Sequence, residues 1–118
     1  MNITDPEMLR KMEKALRLGG NFYTLDDIQA GIMAGDLQGH VEGDTWAITQ
    51  VQQYPQRKVV NVMFVVGSIP HAAKLEEKIG IWAKELGATL ITATGRDGWW
   101  AHRTPGWKMM GALYSKDI

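Results

Sequence analysis

The chain has 118 residues, of which 45% are apolar, and its 13 basic and 13 acidic side chains cancel to a formal charge of zero. That is one ordinary globular domain spanning residues 1–118, with no whole-protein attraction to nucleic acid or to an anionic membrane. Cysteine is absent, which excludes a disulfide framework, a thiol nucleophile and a thiolate metal site.

The N-terminus, Met1-Asn2-Ile3-Thr4-Asp5-Pro6, lacks the basic and apolar segments of a signal peptide, so synthesis in the cytoplasm is the expectation. Asp5-Pro6-Glu7 reads as a helix start: a capping carboxylate, a proline in the first turn and an acid at the positive end of the dipole. Met8, Met12, Ala15 and Leu16 give this helix one apolar stripe, and Gly19-Gly20 closes it within residues 1–20. Thr24 caps a second, shorter helix with Asp26 and Asp27 in its first turn; Leu25, Ile28, Ile32 and Met33 are expected to face inward. The Asp26-Asp27 pair reads as capping chemistry, since no partner ligand for a metal stands near it.

Leu37 to Glu42 is a candidate edge strand, and Gly43-Asp44 a turn. Thr45 to Val51 has strand composition, with Trp46 and Ile48 on one face and Val51 on the other. After the turn Tyr54-Pro55-Gln56-Arg57 comes the stretch 58–94, on which everything else must pack. Val59 to Val66 is almost continuously apolar and mostly β-branched, as in a strand with both faces buried. It is too short to span a bilayer and contains Asn61. Pro70 opens a helix in which Ala72, Leu75, Ile79, Trp82, Ala83 and Leu86 recur at helical spacing, with Leu75, Ile79, Trp82 and Leu86 expected to face the sheet. Gly87 stops it, and Thr89 to Thr94 is strand-like again. Strand, crossover helix and strand make a parallel βαβ unit. The fold class is therefore α/β, an α+β mixed sheet in which an antiparallel meander feeds a βαβ unit. One or two helical turns around Asp97–Arg103 and a final strand over Trp107–Tyr114 complete the expected order.

Two places concentrate candidate functional residues, both at the carboxyl ends of the predicted parallel strands, the usual ligand side of an open α/β sheet. The first is the turn Gly67-Ser68-Ile69-Pro70-His71-Ala72, since the start of a helix can hold a phosphate through its N–H groups. A good phosphate cradle wants several glycines; this turn has one, and Pro70 removes a donor. The second is the segment from Arg96 to Trp107. There Arg96 and Arg103 stand among Trp99, Trp100 and Trp107, a mixture that suits a partner-binding surface formed by Arg96, Trp99, Trp100 and Arg103. Stacking on the bases of a nucleic acid is the alternative use of these residues, and zero net charge favours a protein partner over it. His40, His71 and His102 lack ligand spacing, so no metal site is expected.

The order of elements resembles the GNAT-type N-acetyltransferase fold. Ile79-Gly80-Ile81-Trp82-Ala83-Lys84-Glu85-Leu86-Gly87-Ala88-Thr89 resembles the helix and following strand of those enzymes, and Gly106-Trp107 their Gly-aromatic pair. Tyr54-Pro55 with Lys58, Gly95-Arg96-Asp97-Gly98-Trp99 and Gly106-Trp107 is similar to a set of small proteins of tailed bacteriophages and prophages. The phage resemblance implies a virion or assembly component without enzymatic activity and without a cofactor, made in the bacterial host cytoplasm and binding other virion proteins. The acetyltransferase resemblance implies instead acetyl-CoA held at Gly67, Ser68, His71 and Ala72. His102 then stands where the family often places a tyrosine as the general acid. The turn departs from the family's pyrophosphate loop by lacking its basic residue and second glycine.

Overall fold

The computed structural model describes residues 5–94 and 105–118. Helix α1 (Pro6–Leu18) begins where the sequence places it: the Asp5 carboxylate accepts from the Glu7 N–H at 3.0 Å, and Met8, Met12 and Leu16 form its buried stripe. Helix α2 (Leu25–Ala34) carries a reciprocal cap, in which Thr24 Oγ1 accepts from the Asp27 N–H and the Asp27 carboxylate accepts from the Thr24 N–H. Each such cap contributes roughly 1 kcal/mol by satisfying donors that the helix itself cannot use. Asp27 is thus committed to the cap, and no group of three or more metal-ligating side chains exists among the described residues.

The sheet has four strands in the order β1-β2-β3-β4: β1 (Gln38–Glu42), β2 (Thr45–Gln53), β3 (Lys58–Val66) and β4 (Leu90–Ala93). β1, β2 and β3 form an antiparallel meander, and β4 returns parallel to β3 after helix α3 (Ile69–Glu85). The mixed sheet and its βαβ unit are as read from the sequence. α1 and α2 cover one face, where Met12, Ile28, Ile48 and Val66 pack together. α3 covers the other, where Leu75, Ile79 and Ala83 meet Ala47 and Val60. Trp46 and Ile48 pack on the first face and Val51 on the second, the alternation that a strand enclosed on both sides requires.

Three expectations are corrected. Leu86, expected to face the sheet, is exposed, whereas Trp82 packs, partly buried, against the α3 side of the core beside the buried Ala83. The small Ala83 side chain lets α3 lie close to the sheet. Trp82 is displaced towards β1, where its ring meets His40 edge-on at 4.8 Å. Met33 is 88% exposed. The chain folds back at the end of α2, with the N–H groups of Asp36 and Leu37 both donating to the Gly31 carbonyl, so Leu37 fills the core and Met33 falls on the outer side. Finally, residues 107–118 carry no strand. The segment's apolar side chains beyond Trp107 are exposed, and no strand of the described sheet pairs with it. The helical turn expected at 97–103 lies outside the described residues. No helix among the described residues is long and apolar enough to cross a membrane.

Candidate functional site

β3 and β4 part company halfway along β3. The parallel register runs Val59↔Leu90, Val60↔Ile91, Asn61↔Thr92 and Val62↔Ala93, and ends there. β3 continues for four residues, Met63 to Val66, with no strand on that side among the described residues. At the same level the β2–β3 register slips: Thr49 opposes Val62, but Ile48 opposes Phe64, so Met63 is an extra residue. Such a bulge bends its strand and increases the local twist. The bend and the end of β4 coincide, and a cleft of about 510 Å³ opens between them. Its walls are mostly apolar, from Val62, Met63, Val65, Ala72 and Ala93, with Trp107 also lining it.

The turn after β3 forms the rim, since Gly67, Ser68, Ile69 and Ala72 all border the cleft. Gly67 is needed twice over. Its φ is +135°, and a Cβ there would sit 2.3 Å from Thr45 Oγ1 and 2.6 Å from Thr45 Cα. The β2–β3 register explains the closeness: Trp46 pairs with Val66, so Thr45 and Asp44 lie beside Gly67 and Ser68. Thr45, fully buried, accepts from the Ser68 N–H at 3.0 Å. Asp44 Oδ1 lies 3.0 Å from Thr45 Oγ1, 3.1 Å from Ser68 Oγ and 2.8 Å from His71 Nδ1. These bonds, the one to His71 first, hold the Asp44 carboxyl at a pKa of about 2.

The Asp44–His71–Ser68 cluster contains the residue types of a nucleophilic triad but not its wiring. A relay needs the serine on one imidazole nitrogen and the carboxylate on the other. Here Ser68 Oγ lies 3.0 Å from His71 Nδ1, the same atom that faces Asp44. The cluster is a clamp between the β1–β2 turn and the first turn of α3. It also limits the rim as a phosphate cradle: the Ser68 N–H is spent on Thr45, and Pro70 has none. Lys74 and Lys78, further along α3, are paired with Glu42, and the hydrogen bond from Lys78 is the main reason its carboxyl lies below the ordinary range.

Of the turn residues singled out in the sequence, Gly67, Ser68 and Ala72 border the cleft, whereas His71 is held with Ser68 by Asp44 and does not line it; Asp44 and Thr45 join the turn. Only the turn signal at Gly43-Asp44 marked that neighbourhood; its meeting with residues far along the chain follows from register. Arg96, Trp99, Trp100, His102 and Arg103 lie outside the described residues. His40 is remote from the cleft, on edge strand β1. It bonds Thr49 Oγ1 at 2.8 Å, and burial lowers its pKa.

Comparison with solved structures finds the same fold in several acetyltransferases. The aminoglycoside acetyltransferase meta-AAC0020 from an uncultured soil metagenomic sample superposes with a TM-score of 0.61 at 13% identity, covering 95% of this chain and 88% of that one. The ribosomal-protein-alanine N-acetyltransferase of Brucella melitensis biovar Abortus 2308 gives 0.60 at 13% identity, with 95% and 94% covered. The wild-type protein TTHA1254 from Thermus thermophilus gives 0.59 at 15% identity, with 99% and 98% covered. No family model matches the chain, and no curated protein matches it. The fold is that of the GNAT acetyltransferases.

Proposed function

We propose that the chain binds an acyl thioester of coenzyme A in the cleft between β3 and β4 and transfers the acyl group to an amine. The observation that carries this is the four-residue overrun of β3 past β4. Backbone N–H and C=O groups of a strand with no strand beside them can pair with an extended, amide-bearing ligand as they would with another strand. The pantetheine arm of coenzyme A is such a ligand, and the apolar walls suit its acyl end. In the transfer, the amine nitrogen attacks the thioester carbonyl, the carbon–sulfur bond breaks, the nitrogen gives up a proton to solvent, and the leaving thiolate takes a proton. We assign that proton to His102, on the resemblance noted in the sequence.

The test is calorimetry with acetyl-CoA and with acetyl-pantetheine, followed by acyl transfer to a panel of amines. Both ligands are expected to bind saturably, and the gain from the phosphates is expected to be small, because the rim offers few donors. Ala93→Phe, which fills the cleft, should weaken both by tenfold or more while leaving the melting temperature within a few degrees. Silence with both ligands would refute the proposal.

A second reading has one specific observation in its favour. The rim has no lysine or arginine, and the Ser68 N–H and the Pro70 position are unavailable to a pyrophosphate. That is what a fold kept without its chemistry would show: a non-enzymatic assembly component of a phage, docking other virion proteins through Arg96, Trp99, Trp100 and Arg103. A fold by itself carries no function, and the same calorimetry separates the two readings.

A further inference from the structure

The sheet face that α1 and α2 cover changes character along its length. At one end of β2 and β3 the two helices pack on Trp46, Ile48, Phe64 and Val66. Towards the other end the same face turns polar. Val51, Val60 and Ile91 pack on the α3 side, so strand alternation puts Gln50, Gln52, Asn61 and Thr92 on the opposite side. The register aligns them: Gln50 pairs with Asn61, and Asn61 with Thr92. In the next row Gln52 pairs with Val59, and Val59 with Leu90. Gln50, Gln52, Asn61, Thr92 and Leu90 are half-buried, and Tyr54, just past the end of β2, is 49% exposed.

These polar side chains are joined in series. The Tyr54 hydroxyl donates to Gln52 Oε1 at 2.9 Å, and Gln52 Nε2 donates to Gln50 Oε1 at 3.3 Å. Across the sheet, Thr92 Oγ1 donates to Asn61 Oδ1 at 3.0 Å. Each of the three amide oxygens thus already accepts a bond. The NH2 groups of Gln50 and Asn61 are left over, on directly opposed residues, and among the described residues nothing accepts from them. Cross-strand partners stand about 5 Å apart at Cβ, so both donors can converge on one ligand. An amide that turns over exchanges its NH2 for its C=O, and the series passes such a turn along. The row can therefore offer donors or acceptors, and a hydroxyl, which both donates and accepts, is satisfied by either. Arg57 and Lys58, the nearest cations along the chain, donate instead to the carbonyls of Thr89 and Leu86.

We propose that this amide row binds a neutral, polyhydroxylated ligand, a saccharide. The site goes beyond the acyl-transfer reading and does not depend on it. A sugar ring carries hydroxyls around its rim and apolar C–H groups on its faces. The row answers the first with the amides of Gln50, Gln52 and Asn61, and the second with the Tyr54 ring and Leu90. A few placed polar groups set in apolar surface are the usual make-up of a small-molecule site. Three strands by two rows measure about 10 Å across and about 7 Å along, the scale of one or two sugar rings. An anionic ligand fits less well, because the row itself contains no charge and the neighbouring cations are turned to backbone carbonyls.

NMR of the isotope-labelled full chain, titrated with maltose and with cellobiose, reads the site directly, because the side-chain NH2 groups of Gln50, Gln52 and Asn61 give their own signals. These signals are expected to shift saturably with at least one of the two disaccharides at millimolar concentration. Gln50→Ala and Asn61→Ala should each weaken that binding by about tenfold, the size of one or two lost hydrogen bonds. Tyr54→Ala should weaken it as well. All three side chains keep surface in water, so melting temperatures should stay within a few degrees. Sodium acetate is the anionic control. The proposal is overturned if neither disaccharide moves these signals, or if the shifts fall on the cleft residues Val62, Met63 and Ala93 instead. It is equally overturned if binding survives both amide substitutions, or if acetate saturates the same signals at lower concentration than the sugars. Acetyl-pantetheine, added to the same sample, reports on the cleft, so the two readings can fail separately.

Discussion

Replacing Gly67 with alanine tests the packing of the cleft rim at a single atom. The substitution adds one Cβ where φ is +135° and where Thr45 Oγ1, Cα and Cβ stand 2.3, 2.6 and 2.7 Å away. Two costs combine. A side chain in that backbone region costs about 1–3 kcal/mol, and forcing a methyl into a filled site costs about 1–3 kcal/mol more. Thr45 cannot move cheaply, because it is fully buried in β2 and its hydroxyl holds the Ser68 N–H. The expected loss is about 4 kcal/mol, a large part of the roughly 5–15 kcal/mol that stabilises a domain. Gly87→Ala is the internal control. Gly87 also has positive φ, at +84°, but nothing lies within 4 Å of its would-be Cβ, so only the backbone cost of about 1–2 kcal/mol applies. Urea unfolding followed by tryptophan fluorescence gives both values from the midpoint at a shared slope. If Gly67→Ala costs no more than Gly87→Ala, the close approach of the rim to Thr45 is refuted.

Three further outcomes follow from the burial and the charges. Trp82→Ala should cost about 3 kcal/mol, the low end of the range for a buried aromatic, because the ring packs on the core but keeps part of its surface in water. The same change should raise the pKa of His40, now lowered by burial beside that ring, which an NMR titration reads directly. Asp44 has a folded pKa of about 2 against 3.8 ordinarily, so the stability it contributes is complete above about pH 4 and is lost as pH falls towards 2. Asp44→Asn should therefore flatten the acid limb of the stability profile in that window, and identical acid limbs would show that the clamp does not form in solution.

Much of the frame is legible in the sequence because it is written locally. Asp5 and Thr24 cap helices through atoms two or three residues away, and the β-branched run Val59–Val66 identifies an enclosed strand without reference to anything else. What the sequence hides depends on register. Nothing in Ile48-Thr49 or Val62-Met63-Phe64 announces a bulge, since a run apolar on both faces has no alternation for an extra residue to break. The Asp44–His71 bond joins residues 27 apart and exists only because Trp46 faces Val66. Depth of burial is hidden for a related reason: residues 82 and 83 both lie on the inner stripe and both meet the core, and the packing distance decides which goes deeper. A close-set helix takes alanine. Strand composition at 107–114 is equally local, but pairing is a property of two edges, and composition alone does not supply the second.

The clamp at the rim has a kinetic consequence. Asp44, Thr45, Ser68 and His71 tie a hairpin turn to the start of a helix, so the mouth of the cleft is already in one shape before anything arrives. Among the described residues, a ligand entering at this rim meets no loop that must first close, and the ordering cost of association there falls on the ligand's own torsions. The observed association rate should then rise in proportion to ligand concentration without levelling off, as it does when no slow rearrangement of the receptor precedes or follows encounter.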